Sequence, residues 1–270
     1  MRSPLVATFA VALLSGVASV PASAQATSTD MHFKWTGAVP RGEWVRVKNL
    51  NGRVTVRAAS GNTVEISGEK MVRRGDPNSV RIMTQKTGNG GILVCAFWTE
   101  NASCDEDSYQ SRGDGEDGGR HSRDISVDFT ISLPAGVNIL SSSVNGDVEV
   151  DGATAEVDVH TVNGDVRGIT SSGPVSAGTV NGSITAKMRS LPGTSDLEFR
   201  TVNGSIDLEL PTQLDADVEL RTVNGGFRTD YPMTLSGRVS PRRLDAVIGK
   251  GGRRLRATTV NGSIELRKST

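Results

Sequence analysis

An apolar residue followed by Asn-Gly occurs seven times in this 270-residue chain: Leu50-Asn51-Gly52, Val144-Asn145-Gly146, Val162-Asn163-Gly164, Val180-Asn181-Gly182, Val202-Asn203-Gly204, Val223-Asn224-Gly225 and Val260-Asn261-Gly262. From Asn145 to Asn224 the asparagines are 18, 18, 22 and 21 residues apart. A period near 20 residues marks stacked repeats, each burying its apolar side against its neighbours. Asn tolerates left-handed backbone and Gly adopts it at no steric cost, so one sharp turn per repeat is expected there. Two folds use such a turn. In a meander, Asn-Gly closes a type I′ hairpin between antiparallel strands. In a parallel solenoid it marks a corner, and each Asn stacks on the next about 4.8 Å away, amide to amide. A meander needs a turn signal about every 8–12 residues, so the longer period favours the solenoid.

The flanks repeat by class. Val or Ile lies two residues after Gly at Val148, Val166, Ile184 and Ile206, an inward position used coil after coil. The next residues, Glu149, Arg167, Thr185 and Asp207, vary in charge as solvent-facing positions do. Leu133-Pro134, Leu191-Pro192 and Leu210-Pro211 add a second landmark, because Pro cannot donate to a strand ladder and marks a strand end. Apolar alternation has period 2, and helical periodicity is almost absent. The expected fold is all-β, a parallel β-solenoid of Asn-Gly-marked repeats over 43–270, of either hand. Its first coils fall at 43–98, the main array at 125–230 and the last coils at 231–270. The 37 residues from Asn224 to Asn261 hold two coils, or one coil plus an insertion. The seven asparagines read as turn and ladder rather than as a ligand stripe, because the adjacent Gly and the branched residue beyond it are requirements of a turn.

Residues 1–24 have the pattern of a secretory signal: Arg2, the apolar run Leu5 to Val20, and Ala22-Ser23-Ala24. Residues 25–42 read as a flexible lead-in. Export to the periplasm or cell surface is expected, with no transmembrane segment after signal removal. Thirty basic and thirty acidic residues leave no net charge, which argues against nucleic acid as a partner. With aromatics at 4%, a large aromatic-lined pocket is not expected. Cys95 and Cys104 suit a disulfide in an oxidising compartment. A metal or redox pair is the rival reading, disfavoured by the absence of a nearby His and of Cys-x-x-Cys spacing. Residues 99–124 carry eight acids against three arginines and little apolar content. They read as a mobile acidic insertion rooted by the disulfide; the full calcium-loop pattern, with its Glu at the twelfth position, is missing.

Chemistry is sparse. His32, His121 and His160 assemble into no Ser-His-Asp or Cys-His set. Asp147 and Asp165 follow consecutive corners and would stack about 5 Å apart, a retaining-glycosidase separation. Residues 144–190 contain no aromatic platform for a sugar, however, so a surface column is expected instead. The basic stretch from Arg238 to Arg256 is the candidate interaction surface. In it Arg242, Arg243, Arg253 and Arg254 are the residues expected to meet anionic polysaccharide, phosphate polymer or lipid head groups. The competing reading is a solvated edge that keeps the last coil from pairing with other chains. No cofactor is expected and no enzyme activity. The expected partner is an envelope glycan or another envelope protein.

The Thr-Val-Asn-Gly-Ser-Ile and Ser-Val-Asn-Gly-Asp-Val-Glu-Val repeats, with Leu133-Pro134-Ala135-Gly136-Val137 and the signal pattern, resemble a bacterial family catalogued as domain of unknown function 4097 and labelled as candidate adhesins. The resemblance is best from Ile125 to Leu266. It implies an exported β-repeat protein with no established catalytic residues. The adhesin label rests on fold analogy, and fold alone does not assign function.

Overall fold

The computed structural model describes residues 25–111, 124–236 and 240–269. The signal pattern at 1–24 and residues 112–123 of the acidic insertion lie outside them.

Seven two-stranded coils form the body, each giving one strand to each of two facing sheets. In chain order the coils are Trp44–Lys48 with Val54–Ala58, Asn138–Ser142 with Val148–Ala153, Val157–His160 with Val166–Thr170, Val175–Gly178 with Ile184–Met188, Leu197–Arg200 with Ile206–Leu210, Ala216–Arg221 with Phe227–Thr229, and Arg253–Thr258 with Ile264–Lys268. The first-named strands lie in sheet I and the second-named in sheet II. Neighbouring coils pair in parallel. Alternation puts Val157 and Val159 inside and Asp158 and His160 outside, and the same rule holds up the stack. The residue two after each corner Gly forms an inner column: Val54, Val148, Val166, Ile184, Ile206, Ile264, Phe227. Burying each Val or Ile contributes roughly 1.5–3 kcal/mol, so the column is a main source of cohesion between coils.

Coil order departs from chain order once. The seventh coil lies between the fifth and the sixth. After the sixth coil, Arg243–Ile248 and then Thr234–Leu235 extend sheet I as antiparallel strands at its end, and the chain then fills the empty slot between the fifth and sixth coils. The long interval is therefore one coil plus an insertion. At the other end Ile92–Phe97 and Ile125–Leu133 pair in parallel with the two strands of the first coil, and antiparallel strands follow beyond them: Arg81–Lys86 then Gln25–Ser28 in sheet I, Val64–Val72 then His32–Gly37 in sheet II. These strands cover edges that would otherwise template pairing with other chains.

Two expectations are corrected. Residues 25–37, read as a flexible lead-in, supply two cap strands with Phe33 buried in the core. The Lys70 ammonium ties them down, donating to the carbonyls of Thr29, Pro77 and Val80 at 2.6, 2.9 and 2.6 Å. The described part of the acidic insertion is also structured. Ala102–Cys104 and Tyr109–Ser111 form a hairpin packed on the outside of sheet I over Met83, Leu93 and Phe97. Cys95 and Cys104 are joined as a disulfide. The corners differ from expectation in one respect: among the described residues no non-glycine residue has positive φ. Asn serves there for its amide, not for left-handed backbone.

Among the described residues, no helix is long and apolar enough to cross a membrane. A Cβ placed on Gly182 would overlap the Gly164 carbonyl oxygen, and backbone cannot swing aside as a side chain can. Gly182→Ala is expected to cost about 3 kcal/mol, whereas Asn181→Ala, which leaves the approach intact, costs about 1 kcal/mol. Thermal denaturation of the two variants beside the parent checks the order.

Candidate binding surface

Each corner makes the same set of bonds to the coil before it. The Thr hydroxyl donates to the preceding corner's Gly carbonyl: Thr161 to Gly146, Thr179 to Gly164, Thr201 to Gly182, Thr259 to Gly204 and Thr222 to Gly262, all at 2.8–3.0 Å. The Asn amides form an unbroken ladder, Asn51, Asn145, Asn163, Asn181, Asn203, Asn261, Asn224, with Nδ2···Oδ1 distances of 2.7–2.9 Å. Asp147 Oδ1 accepts from the Asp165 backbone N–H at 3.0 Å, and Asp165 Oδ1 accepts from that of Ser183 at 2.8 Å. The two stacked aspartates therefore stitch coils together and do not form a carboxylate pair facing a cleft.

The two outer faces differ. On sheet II, acids and bases alternate between coils and pair: Arg57 with Glu149 and Asp151, Lys187 with Glu209, Arg267 with Asp207, Arg228 with Glu265. Exposed pairs like these contribute about 0–1 kcal/mol each, so their main effect is a neutral face. On sheet I the fourth coil presents only Ser176 and Gly178 outward, which opens a shallow groove of about 510 Å³. Asp158 and His160 form one wall, Glu198 and Arg200 the other, and the groove opens beside Val180. The two wall pairs are each ion-paired along their own strands, His160 Nε2 to Asp158 Oδ1 at 2.8 Å and Arg200 to Glu198. A Cβ on Gly178 would press on the His160 ring, so glycine lets the imidazole lie across the groove floor. The hydrogen bond to Asp158 raises the His160 pKa above the usual histidine value, against an opposing effect of burial, and the charges of Asp158 and Glu198 add to the rise.

The four arginines singled out from the sequence do not form one surface. Arg253 is 4% exposed, and its guanidinium donates to the carbonyls of Leu191, at 3.2 Å, and Gly193. It holds a loop. The signal was present in the sequence: alternation through Arg253, Leu255 and Ala257 puts Arg253 on the inward face. Arg243 is paired with Asp245 at 2.7 Å, while Arg242 and Arg254 are exposed. The Gly249-Lys250-Gly251-Gly252 turn nearby directs its N–H groups at the protein's own acids, Lys250 to Asp215 at 2.8 Å and Gly252 to Asp217 at 3.0 Å.

Sequence reasoning missed Lys48. Its ammonium is buried under the disulfide hairpin and donates to the carbonyls of Asp105, Glu106 and Ser108 at 2.8, 2.9 and 3.2 Å. Burial pushes its pKa below the usual lysine value. Nothing local foretold this, since Lys48 lies on the outward face of its strand and is covered only by a distant segment. Among the described residues, no three His, Cys, Asp or Glu side chains converge so as to hold a metal ion.

The profile of the family described as Toastrack DUF4097 matches residues 120–267, and the chain belongs to that family. Among curated proteins none matches. Two solved structures are similar in outline. One is a candidate cell adhesion protein from Clostridium sporogenes, at 9% identity and TM-score 0.40, over 88% of this chain and 100% of that one. The other is a candidate adhesin from Bacteroides fragilis, at 10% identity and TM-score 0.26, over 88% of this chain and 97% of that one.

Two outcomes are expected of these residues. Arg253→Met removes the buried anchor of the surface loop at 191–193 and should cost about 2 kcal/mol, against less than about 0.5 kcal/mol for Arg254→Ser; denaturant titration compares them. Because the folded His160 pKa is raised, its contribution to stability is fully present below the unfolded value and is lost as pH rises through the folded one. The parent should therefore exceed Asp158→Asn in stability most at about pH 6, with the gap narrowing as pH rises past the folded His160 midpoint. The His160 midpoint, read by NMR, should itself fall in Asp158→Asn.

Proposed function

We propose that this member of the Toastrack family is an exported, non-enzymatic binding protein of the bacterial envelope or cell surface, adhesin-like in use, that meets its partner through the groove on sheet I. The observation carrying this reading is the groove itself, since acid–base pairs run across sheet I as well, Arg256 with Glu219 and Arg243 with Asp245. Acids and bases cancel across sheet II, and the corner aspartates are bonded to backbone. The groove over Ser176 and Gly178 instead offers a concave floor between polar walls. The Cys95–Cys104 disulfide supports export, because such bonds persist in oxidising compartments. The partner is an envelope glycan or another envelope protein.

The test is capture from glycan, lipid and protein fractions of the producing cell's envelope, comparing the parent with Ser176→Tyr, which fills the groove from an outward strand position. One fraction should be retained by the parent and lost by the variant, with an unchanged melting temperature. A paired variant, Arg242→Ser with Arg254→Ser, asks whether the exposed arginines contribute. Equal retention by the parent and Ser176→Tyr would move the contact off the groove. Turnover of a polysaccharide by the parent would overturn the non-enzymatic reading.

A further inference from the structure

At five of the seven corners the residue before Asn is an exposed valine, while Leu50 at the first corner packs on the core. Along the stack, Val162, Val180, Val202, Val260 and Val223 are each 36–48% exposed and form a ridge beside the Asn ladder. Met71 and Val72, also exposed, line a cavity with Asn51 and Asn145 at the head of the same corner. Seven of the nine large hydrophobics exposed among the described residues therefore lie along one edge of the molecule. Packing of each Val on the next explains a column of valines, but not its exposure.

The ladder leaves hydrogen-bonding capacity unused. Each Asn Nδ2 carries two hydrogens and each Oδ1 two lone pairs, and the ladder takes one of each. Every internal rung thus presents one donor and one acceptor to solvent, next to an apolar knob, once per coil rise of about 4.8 Å.

We infer that this edge is a docking track for a linear, uncharged polysaccharide lying along the stack. Four features select that occupant. The ridge is one residue wide, so the area it can bury falls well short of the roughly 800 Å² per partner of a stable protein pair; a slender ligand fits it. An extended peptide repeats its same-face side chains about every 6.6–6.8 Å and drifts out of step with the coils, whereas a β-1,4-linked pyranose chain offers about one ring per coil, successive rings turned over but each with an apolar C–H face. A pyranose has an apolar C–H face for valine, and hydroxyls that both donate and accept for the amides. Valine and asparagine are uncharged, and in the adjacent column Asp165 disfavours an anionic chain while Asp147 is paired with Arg53 at 3.7 Å, so the track carries no net basic charge to attract one. With aliphatic knobs in place of aromatic platforms each ring is held weakly, so affinity accumulates with the number of coils spanned. This inference rests on the binding-protein reading but uses the neighbouring edge, which meets the groove only at Val180, so Ser176→Tyr serves as the control that separates them.

The experiment titrates the full mature chain with β-1,4-linked hexasaccharides and trisaccharides of glucose and of N-acetylglucosamine, by calorimetry. One hexasaccharide should bind at least tenfold more tightly than its trisaccharide. Val162→Thr/Val202→Thr/Val260→Thr keeps the β-branch and the ladder, and should weaken hexasaccharide binding at least tenfold without lowering the melting temperature. The single variant Val202→Lys should do the same, and Ser176→Tyr should leave this binding unchanged. The inference fails if neither hexasaccharide binds at millimolar concentration, if the trisaccharide binds as well, or if the triple variant binds like the parent. It fails equally if sedimentation shows a parent dimer that the triple variant abolishes, because the ridge would then be a self-association surface.

Discussion

Everything regular in this protein depends on how closely successive corner glycines approach. At Gly146, Gly164, Gly182, Gly204, Gly225 and Gly262 the space a Cβ would need is occupied by the carbonyl of the neighbouring corner glycine. That contact brings coils together at one edge, and the Thr hydroxyl, Asn amide and Asp or Ser bonds then fall into reach. Because paired strands are parallel and in register, each bond repeats at the next coil without new design. A one-residue slip would turn each inward valine or isoleucine to solvent, so the corner and the inner column enforce the same alignment.

The ends of the stack are handled differently from its middle. Both ends of sheet I and one end of sheet II finish on antiparallel strands, while the other end of sheet II finishes on the short parallel strand Phe227–Thr229. The seventh coil is held on both sides, by Asn203 and by Asn224. Long-range pairing of this kind places the chain's last strands in the interior of the array.

With cohesion supplied by the corner and core, the outer surface is free to vary, and it varies by face. Sheet II is charge-neutralised, sheet I carries a groove, and the edge between them exposes valine and amide. Three buried cations, Lys48, Lys70 and Arg253, each cross-brace a loop to the body through backbone carbonyls. These cations organise irregular segments; they are not a basic surface offered to a ligand.

The repeat, the parallel stacking, the Asn ladder and the inward position two residues after each Gly were all legible in the sequence. They follow from steric and periodic rules acting within about twenty residues and are repeated often enough to be unmistakable. The tertiary structure alone decided which coil neighbours which, that residues 25–37 cap the sheets, that Lys48 is covered, and that Ser176 and Gly178 form the floor of a groove. Each of these depends on which distant segments converge on a site. Arg253 and Arg254 show the division most plainly: adjacent in sequence and identical in chemistry, one is buried and braces a surface loop while the other faces solvent, because strand alternation separates them and carbonyls some sixty residues away receive the first.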